Sequence, residues 1–286
     1  MNNNYESTAI RLLRHFIILL VIGFVFFPIV WTLSASLNPA NTIVGQKIIP
    51  DNASLVHYKE IFTSDSHPFM LWMWNSIKIS LITAFFSVSM TALAAYPFSR
   101  FHFTGRRNGL FMILLIQIFP QMLAMVAIYL LFLNIQNYIP SIGLNTHTAL
   151  VLTYLGGSIG VNTWLMKGYL DTIPRSLEEA AYIDGASRFQ AFVQIILPLA
   201  RPILAVLFVL QFIRTYSEYI LASILLNSTE KFTLAVGLQM FISDMYGKRM
   251  GVFSAAALVG AIPIVILFMV FQDYIVHGLT GGGVKE

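Results

Sequence analysis

The sequence predicts an all-α membrane protein of six transmembrane helices with both termini cytoplasmic, and three observations carry that reading. Of 286 residues, 57% are apolar and only 10% charged, well under the roughly 25% charged residues of a soluble domain. Six runs approach or exceed the roughly 20 apolar residues that a spanning helix needs; they cover 15–37, 76–99, 109–133, 148–170, 203–226 and 253–277. Lys and Arg then set the orientation, because cytoplasmic loops collect them. With the N-terminus inside, the inner face holds ten: Arg11, Arg14, Arg100, Arg106, Arg107, Lys167, Arg175, Arg188, Arg201 and Lys285. The outer face holds five: Lys47, Lys59, Lys231, Lys248 and Arg249. Lys78 and Arg214 fall at or within spans.

The elements follow in order. The first run, behind Arg11 and Arg14, exceeds a signal-peptide core and has no prompt small-residue cleavage site, so it reads as an uncleaved anchor. Residues 38–75 form a long outer segment ending in "PFMLWMWNS", where Trp72 and Trp74 read as interfacial anchors. A short basic inner loop, "RFHFTGRR", precedes the third span, and an uncharged, turn-rich outer loop, "NIQNYIPSIGLNTH", precedes the fourth. Pro28, Pro120 and Pro263 remove backbone donors inside spans and are expected to kink them. Gly156 and Gly160 give span four a small-residue patch, as "SAAALVG" does for span six; each serves close helix packing or a pore constriction. A second sizeable outer loop covers 227–252. Nothing separates into a soluble domain, so 1–286 reads as one transmembrane domain.

Chemistry of the bond-making kind has no visible site. The chain has no cysteine, which excludes disulfides and thiolate chemistry. Its six histidines are scattered at 15, 57, 67, 102, 147 and 277 without metal-ligand spacing, and no metal site is expected. His147 reads as a satisfied polar residue. No G-x-x-x-x-G-K-[ST] occurs, so a nucleoside triphosphate, if one is used, is hydrolysed on another polypeptide. The basic residues are dispersed among the spans, which argues against nucleic acid.

Two polar features remain. In span five, Gln211, Arg214, Thr215 and Glu218 fall at i, i+3, i+4 and i+7, on one helix face. Charges in lipid are costly, so that face looks into the bundle or a wet cavity. Arg214 and Glu218, four apart, can neutralise each other. The face is a structural ion pair or the polar lining of a solute path, and a polyhydroxyl solute suits its mixed donors and acceptors.

The second feature is "SLEEAAYIDGASRFQAFVQIILPLARP" at 176–202. Residues 177–183 suit a short helix behind Pro174. Gly185 permits a turn, and a second helix from Ser187 sets Phe189, Phe192, Val193 and Ile196 on one face. Pro198 and Pro202 close the segment. Too short and polar to span, it lies on the cytoplasmic surface or docks on a protein. Its exposed acids suit a basic groove on a partner better than anionic lipid.

These residues carry a resemblance. Glu179-Ala180-Ala181, three residues, Gly185, nine residues, then Ile195-Ile196-Leu197-Pro198 is similar to the EAA loop of binding-protein-dependent ABC transporter permeases. "WNSIK", "YIPSIGLNTH", "TLAVGLQ", "QFIRTYSEYIL" and the tail "GLTGGGVK" extend the likeness over essentially the whole chain, and resemble the carbohydrate-uptake class, the maltose/maltodextrin permeases above all. Tyr216-Ser217-Glu218-Tyr219 departs from the Trp-Asn-acid-aromatic form common in that class. The resemblance implies an ABC importer type I permease fold in the bacterial cytoplasmic membrane. It implies a sister permease subunit completing the pore, two ATP-binding cassette ATPases that carry ATP and magnesium, and an extracytoplasmic sugar-binding protein. This chain itself would bind no cofactor and catalyse nothing. The EAA loop would be the coupling helix: Glu178, Glu179, Ala180, Ala181, Asp184, Gly185, Ala186, Ile195, Leu197 and Pro198 would form or shape the ATPase contact. Gly281, Gly282 and Gly283 would thread between the ATPases, where a terminus read without the resemblance is simply disordered. Ser243, Asp244, Met245, Tyr246 and Gly247 would meet the binding protein. Within the family, another oligosaccharide or glycerol phosphate is an alternative cargo. A secondary transporter fits less well, for want of broken helices in repeated halves around an ion site.

Overall fold

The computed structural model describes residues 8–42, 45–118, 121–243 and 249–280. Among these the regular structure is entirely helical: α1 Thr8–Leu37, α2 Val56–Thr63, α3 Phe69–Arg100, α4 Arg106–Ile118, α5 Gln121–Ile135 and α6 His147–Thr172. There follow α7 Ser176–Ile183, α8 Arg188–Leu199, α9 Arg201–Tyr216, α10 Ile220–Leu225, α11 Leu234–Ser243 and α12 Met250–Thr280. Four helices, α1, α3, α6 and α12, are each long and apolar enough to cross a membrane, and the bent pairs α4–α5 and α8–α9 bring the number to six if each counts once. The chain is a multi-pass membrane protein.

Pro28 and Pro263 lie inside α1 and α12, which continue through them. Pro120 lies outside the described residues, between the end of α4 and the start of α5. The fifth apolar run is not one helix: α9 stops at Tyr216, residues 217–219 leave the helix, and α10 takes over. The outer loop expected at 227–252 contains a helix of its own, α11.

The chain packs as two units. One comprises residues 1–69 and 238–261. The apolar stretch of α1 in it has no buried residue, as befits a helix facing lipid or another chain. Asn41, at φ +57°, accepts from the backbone N–H of Gly251 at 2.8 Å and of Val252 at 3.3 Å, and so caps the start of α12. Gly251 is required there, since a Cβ would fall 2.3 Å from the His57 imidazole.

The other unit comprises residues 70–237 and 262–286. Among its described residues, two clusters of buried side chains stand out. One gathers Ile79, Phe132, Ala149, Leu150, Tyr154, Ala222, Leu225 and Val236. The second gathers Ala92, Ala95 and Tyr96 of α3 and Met166 and Leu170 of α6, with Phe192, Ile196 and Ala200 of the segment beyond α7. Trp72 is not an interfacial anchor: it is fully buried, and its indole N–H donates to the Thr229 carbonyl at 2.8 Å. Trp74, two residues on, is exposed. The helix periodicity decides the difference, because residues two apart on a helix point to different faces.

Candidate functional site: a surface helix pair and a cavity

The 176–202 segment folds as a helix, a turn and a second helix. α7 ends in a Schellman arrangement, with Gly185 N–H donating to Tyr182 O at 3.1 Å and Ala186 N–H to Ala181 O at 2.9 Å. Gly185 sits at φ +87°, the left-handed conformation that such an ending requires. Ser187 then opens α8 through a reciprocal capping box with Gln190. That box was legible as Ser-x-x-Gln in the sequence. Residues 192–196 form a π turn, whose extra residue rotates the register. Phe192 and Ile196 are accordingly buried while Phe189 and Val193 are exposed, so the single apolar face expected for all four is divided.

The acids of α7 also divide. Glu178 is 3% exposed and is no part of an acidic surface, contrary to expectation. Its carboxylate forms an ion pair with the Arg100 guanidinium, at the end of α3, and accepts from the Tyr96 hydroxyl at 2.7 Å. Arg100 also donates to the Ile173 carbonyl at 3.1 Å. Around them, Ser99 donates to Asp171 at 2.7 Å, Lys167 pairs with Asp171, and Arg175 reaches the Ser99 carbonyl at 3.3 Å. The Tyr96 and Phe192 rings lie 4.7 Å apart, and Arg188 stands 5.1 Å from the Phe101 ring centroid. The helix pair is thus keyed to the end of α3 by a buried charge pair and an aromatic contact. Arg100 and Tyr96 went unnoticed in the sequence, because a pairing across 78 or more positions leaves no local pattern.

Glu179, Ala180, Asp184 and Gly185 remain exposed, while Ala181, Ala186, Ile195, Leu197 and Pro198 are partly covered. Ile183 and Phe189 add apolar surface beside them, at 86% and 69% exposure. Two exposed carboxylates, Glu179 and Asp184, rimmed by apolar side chains suit a protein surface.

The span-five residues line a cavity of about 1070 Å³ whose walls come from α4, α5, α6, α9 and α10. Gln211, Arg214, Thr215 and Glu218 all reach it, together with Gln117, Thr153, Tyr154, Gly156 and Gly157. Arg214 and Glu218 do not neutralise each other as expected. The helix stops between them, and Glu218 instead accepts from the N–H groups of Leu221 at 2.8 Å and Ala222 at 3.1 Å, capping α10. Its Oε2 also accepts from the Tyr154 hydroxyl at 2.7 Å. Glu218→Ala is therefore expected to cost roughly 1–3 kcal/mol through orphaned donors, read as a lowered melting temperature of the purified protein in detergent. An unchanged melting temperature would refute the capping role.

Of the small residues in span four, Gly160 serves packing: a Cβ there would fall 2.0 Å from the Gln117 amide, which accepts from Val161 N–H at 3.1 Å. Gly156 faces open space and widens the cavity. His147 is satisfied by the Lys231 carbonyl at 2.8 Å. Ser243 ends α11 exposed, its hydroxyl donating to Gln239 O. Asp244, Met245, Tyr246 and Gly247, and likewise Gly281, Gly282 and Gly283, lie outside the described residues. Among those described, no three His, Asp or Glu side chains gather as a metal site would need.

Comparison with known proteins places this architecture. Residues 87–281 match the family described as "Binding-protein-dependent transport system inner membrane component". The maltose/maltodextrin transport system permease protein MalG of Yersinia pestis is 44% identical, across 98% of this chain and 95% of that protein. MalG of Escherichia coli K12 is 41% identical, across 98% of each. In three dimensions the chain resembles a subunit of a bacterial ABC transporter involved in the import of the acidic polysaccharide alginate, at TM-score 0.79 and 23% identity, over 96% of this chain and 99% of that one. A second alginate ABC transporter structure, in complex with an alginate pentasaccharide-bound periplasmic protein, matches at TM-score 0.66. The chain belongs to the family of binding-protein-dependent transport system inner membrane components.

Proposed function

We propose that this chain is a permease subunit of an ATP-driven importer for maltose and maltodextrins in the bacterial cytoplasmic membrane. It crosses the membrane six times with both termini inside, forms half of the pore with a sister permease, and receives sugar from an extracytoplasmic binding protein. ATP and magnesium reside on two separate ATPase chains. The observation that carries the reading is the helix pair at 176–202, which holds Glu179 at the surface while burying Glu178 against α3.

The mechanism follows from that split. Closure of the ATPases around ATP displaces whatever grips Glu179 and the Gly185 turn. The Arg100–Glu178 pair and the Tyr96–Phe192 contact pass the displacement into α3, since a packed, ion-paired joint resists being sheared. The pore then opens outward, and hydrolysis resets it. Glucan as cargo is supported by the two MalG relatives and by a cavity large enough for a short oligosaccharide. The test is the ATPase rate of the assembled transporter with binding protein, empty or loaded with maltodextrin. Stimulation by the maltotriose-loaded partner is expected. Absence of stimulation by every maltodextrin would overturn the cargo while leaving the permease reading intact.

A further inference from the structure

One ion pair serves neither the coupling segment nor the cavity. Glu60 of α2 pairs with the Arg249 guanidinium, one residue ahead of α12. Arg249 is also held from α11. Its backbone N–H donates to the Phe241 carbonyl at 2.9 Å, and its guanidinium lies 5.6 Å from the Phe241 ring centroid. That ring is buried and stacks on His67 at 5.1 Å. Behind Glu60, the buried His57 imidazole donates to the Asn38 carbonyl at 2.9 Å and backs onto Gly251. Its other ring nitrogen lies 3.9 Å from the Glu60 carboxylate. Asn41 caps the same helix start. All these residues belong to one packing unit, the one comprising 1–69 and 238–261. α2, the end of α11 and the start of α12 therefore meet at Arg249.

Phe241, His57 and Gly251 do the packing at this junction. The ion pair sits at its rim, with the Glu60 and Arg249 side chains 36% and 23% exposed, and a pair so open to water adds little to stability. What it fixes is direction. The chain enters α12 through Arg249, and a charge held from α2 sets the angle of entry. In the orientation proposed above, the junction lies on the outer face. We propose that Glu60 and Arg249 are positioning residues for the solute-binding protein: their pair presets the outer surface at the α11–α12 junction in the form on which that protein docks. Without the pair, the binding protein has to order the junction as it docks, which costs affinity. The turnover of the docked complex is left as it was. The inference rests on the reading above that a binding protein delivers the cargo.

The experiment measures the ATPase rate of the assembled transporter against rising concentrations of maltotriose-loaded binding protein. Glu60→Gln is expected to raise the half-saturating concentration about fivefold, with the rate at saturation and the rate without binding protein unchanged. Arg249→Glu, which sets two acids against each other, should raise it further. Combining Arg249→Glu with Glu60→Arg restores the pair and should recover most of the loss. An unchanged half-saturating concentration in Glu60→Gln overturns the proposal, as does an exchanged pair no better than Arg249→Glu alone. A pair that serves only stability would lower the melting temperature and all rates together, and that result overturns it too. If Arg249→Glu fails to assemble, Glu60→Gln decides by itself. If the wild-type transporter does not respond to the loaded binding protein at all, the cargo reading has failed, and this inference falls with it.

Discussion

Glu178→Ala is expected to uncouple transport and to destabilise the chain together. The substitution leaves the Arg100 guanidinium buried at 6% exposure without its carboxylate. Removing one partner from a buried ion pair costs roughly 3–5 kcal/mol, most of it the stranded charge. The Tyr96 hydroxyl loses its acceptor as well. Two readouts separate the joint from mere stability: the melting temperature in detergent, and sugar imported per ATP hydrolysed at a temperature where the variant is folded. Both should fall. Glu178→Gln, which still accepts from Tyr96, should keep more of each. The exchanged pair Arg100→Glu with Glu178→Arg should recover part of the import per ATP lost by either single variant. If Glu178→Ala imports and melts like the wild type, the Arg100–Glu178 pair is not the joint.

Glu179→Lys should behave differently. The side chain is exposed and leaves no partner stranded among the described residues, so insertion and melting should stay near wild type. Reversing a charge at a docked interface costs roughly 2–5 kcal/mol, about thirtyfold or more in affinity, so uptake should drop to background. Gly185→Asp belongs beside it. A Cβ at Gly185 meets nothing within 4 Å, but φ is +87°. The fold should therefore survive with about 1–2 kcal/mol of backbone strain, while the added charge spoils the docking surface. Normal uptake by either variant would sink the docking account.

The sequence disclosed what is local and missed what is not. The helix, the Gly185 turn and the second helix were readable because capping, glycine and proline signals act over a few residues. The two neighbouring acids could not be told apart, because their fates depend on where α3 ends: Glu178 meets Arg100, and Glu179 points away. Span five failed for a similar reason. Spacing alone put Arg214 and Glu218 on one face, yet Glu218 serves better as the cap of α10, so the helix breaks between them. Trp72 looked like an anchor because tryptophans near a span end usually are, and only the fold shows the Thr229 carbonyl waiting for its N–H. The π turn at 192–196 left no recognisable mark and rotated Phe189 out of the core.

The central claim, that this chain meets its ATPase through α7, has a direct test in the absence of any native cysteine. A single cysteine at Glu179, carrying a short photo-activated cross-linker, is compared with one at Trp74. Trp74 is also exposed, on the same α3 helix that ends at Arg100, but roughly 40 Å away along its axis. In the assembled transporter the Glu179 probe should attach to the ATPase chain and the Trp74 probe should not. Attachment of the Glu179 probe to the extracytoplasmic binding protein, or of the Trp74 probe to the ATPase, would contradict the claim.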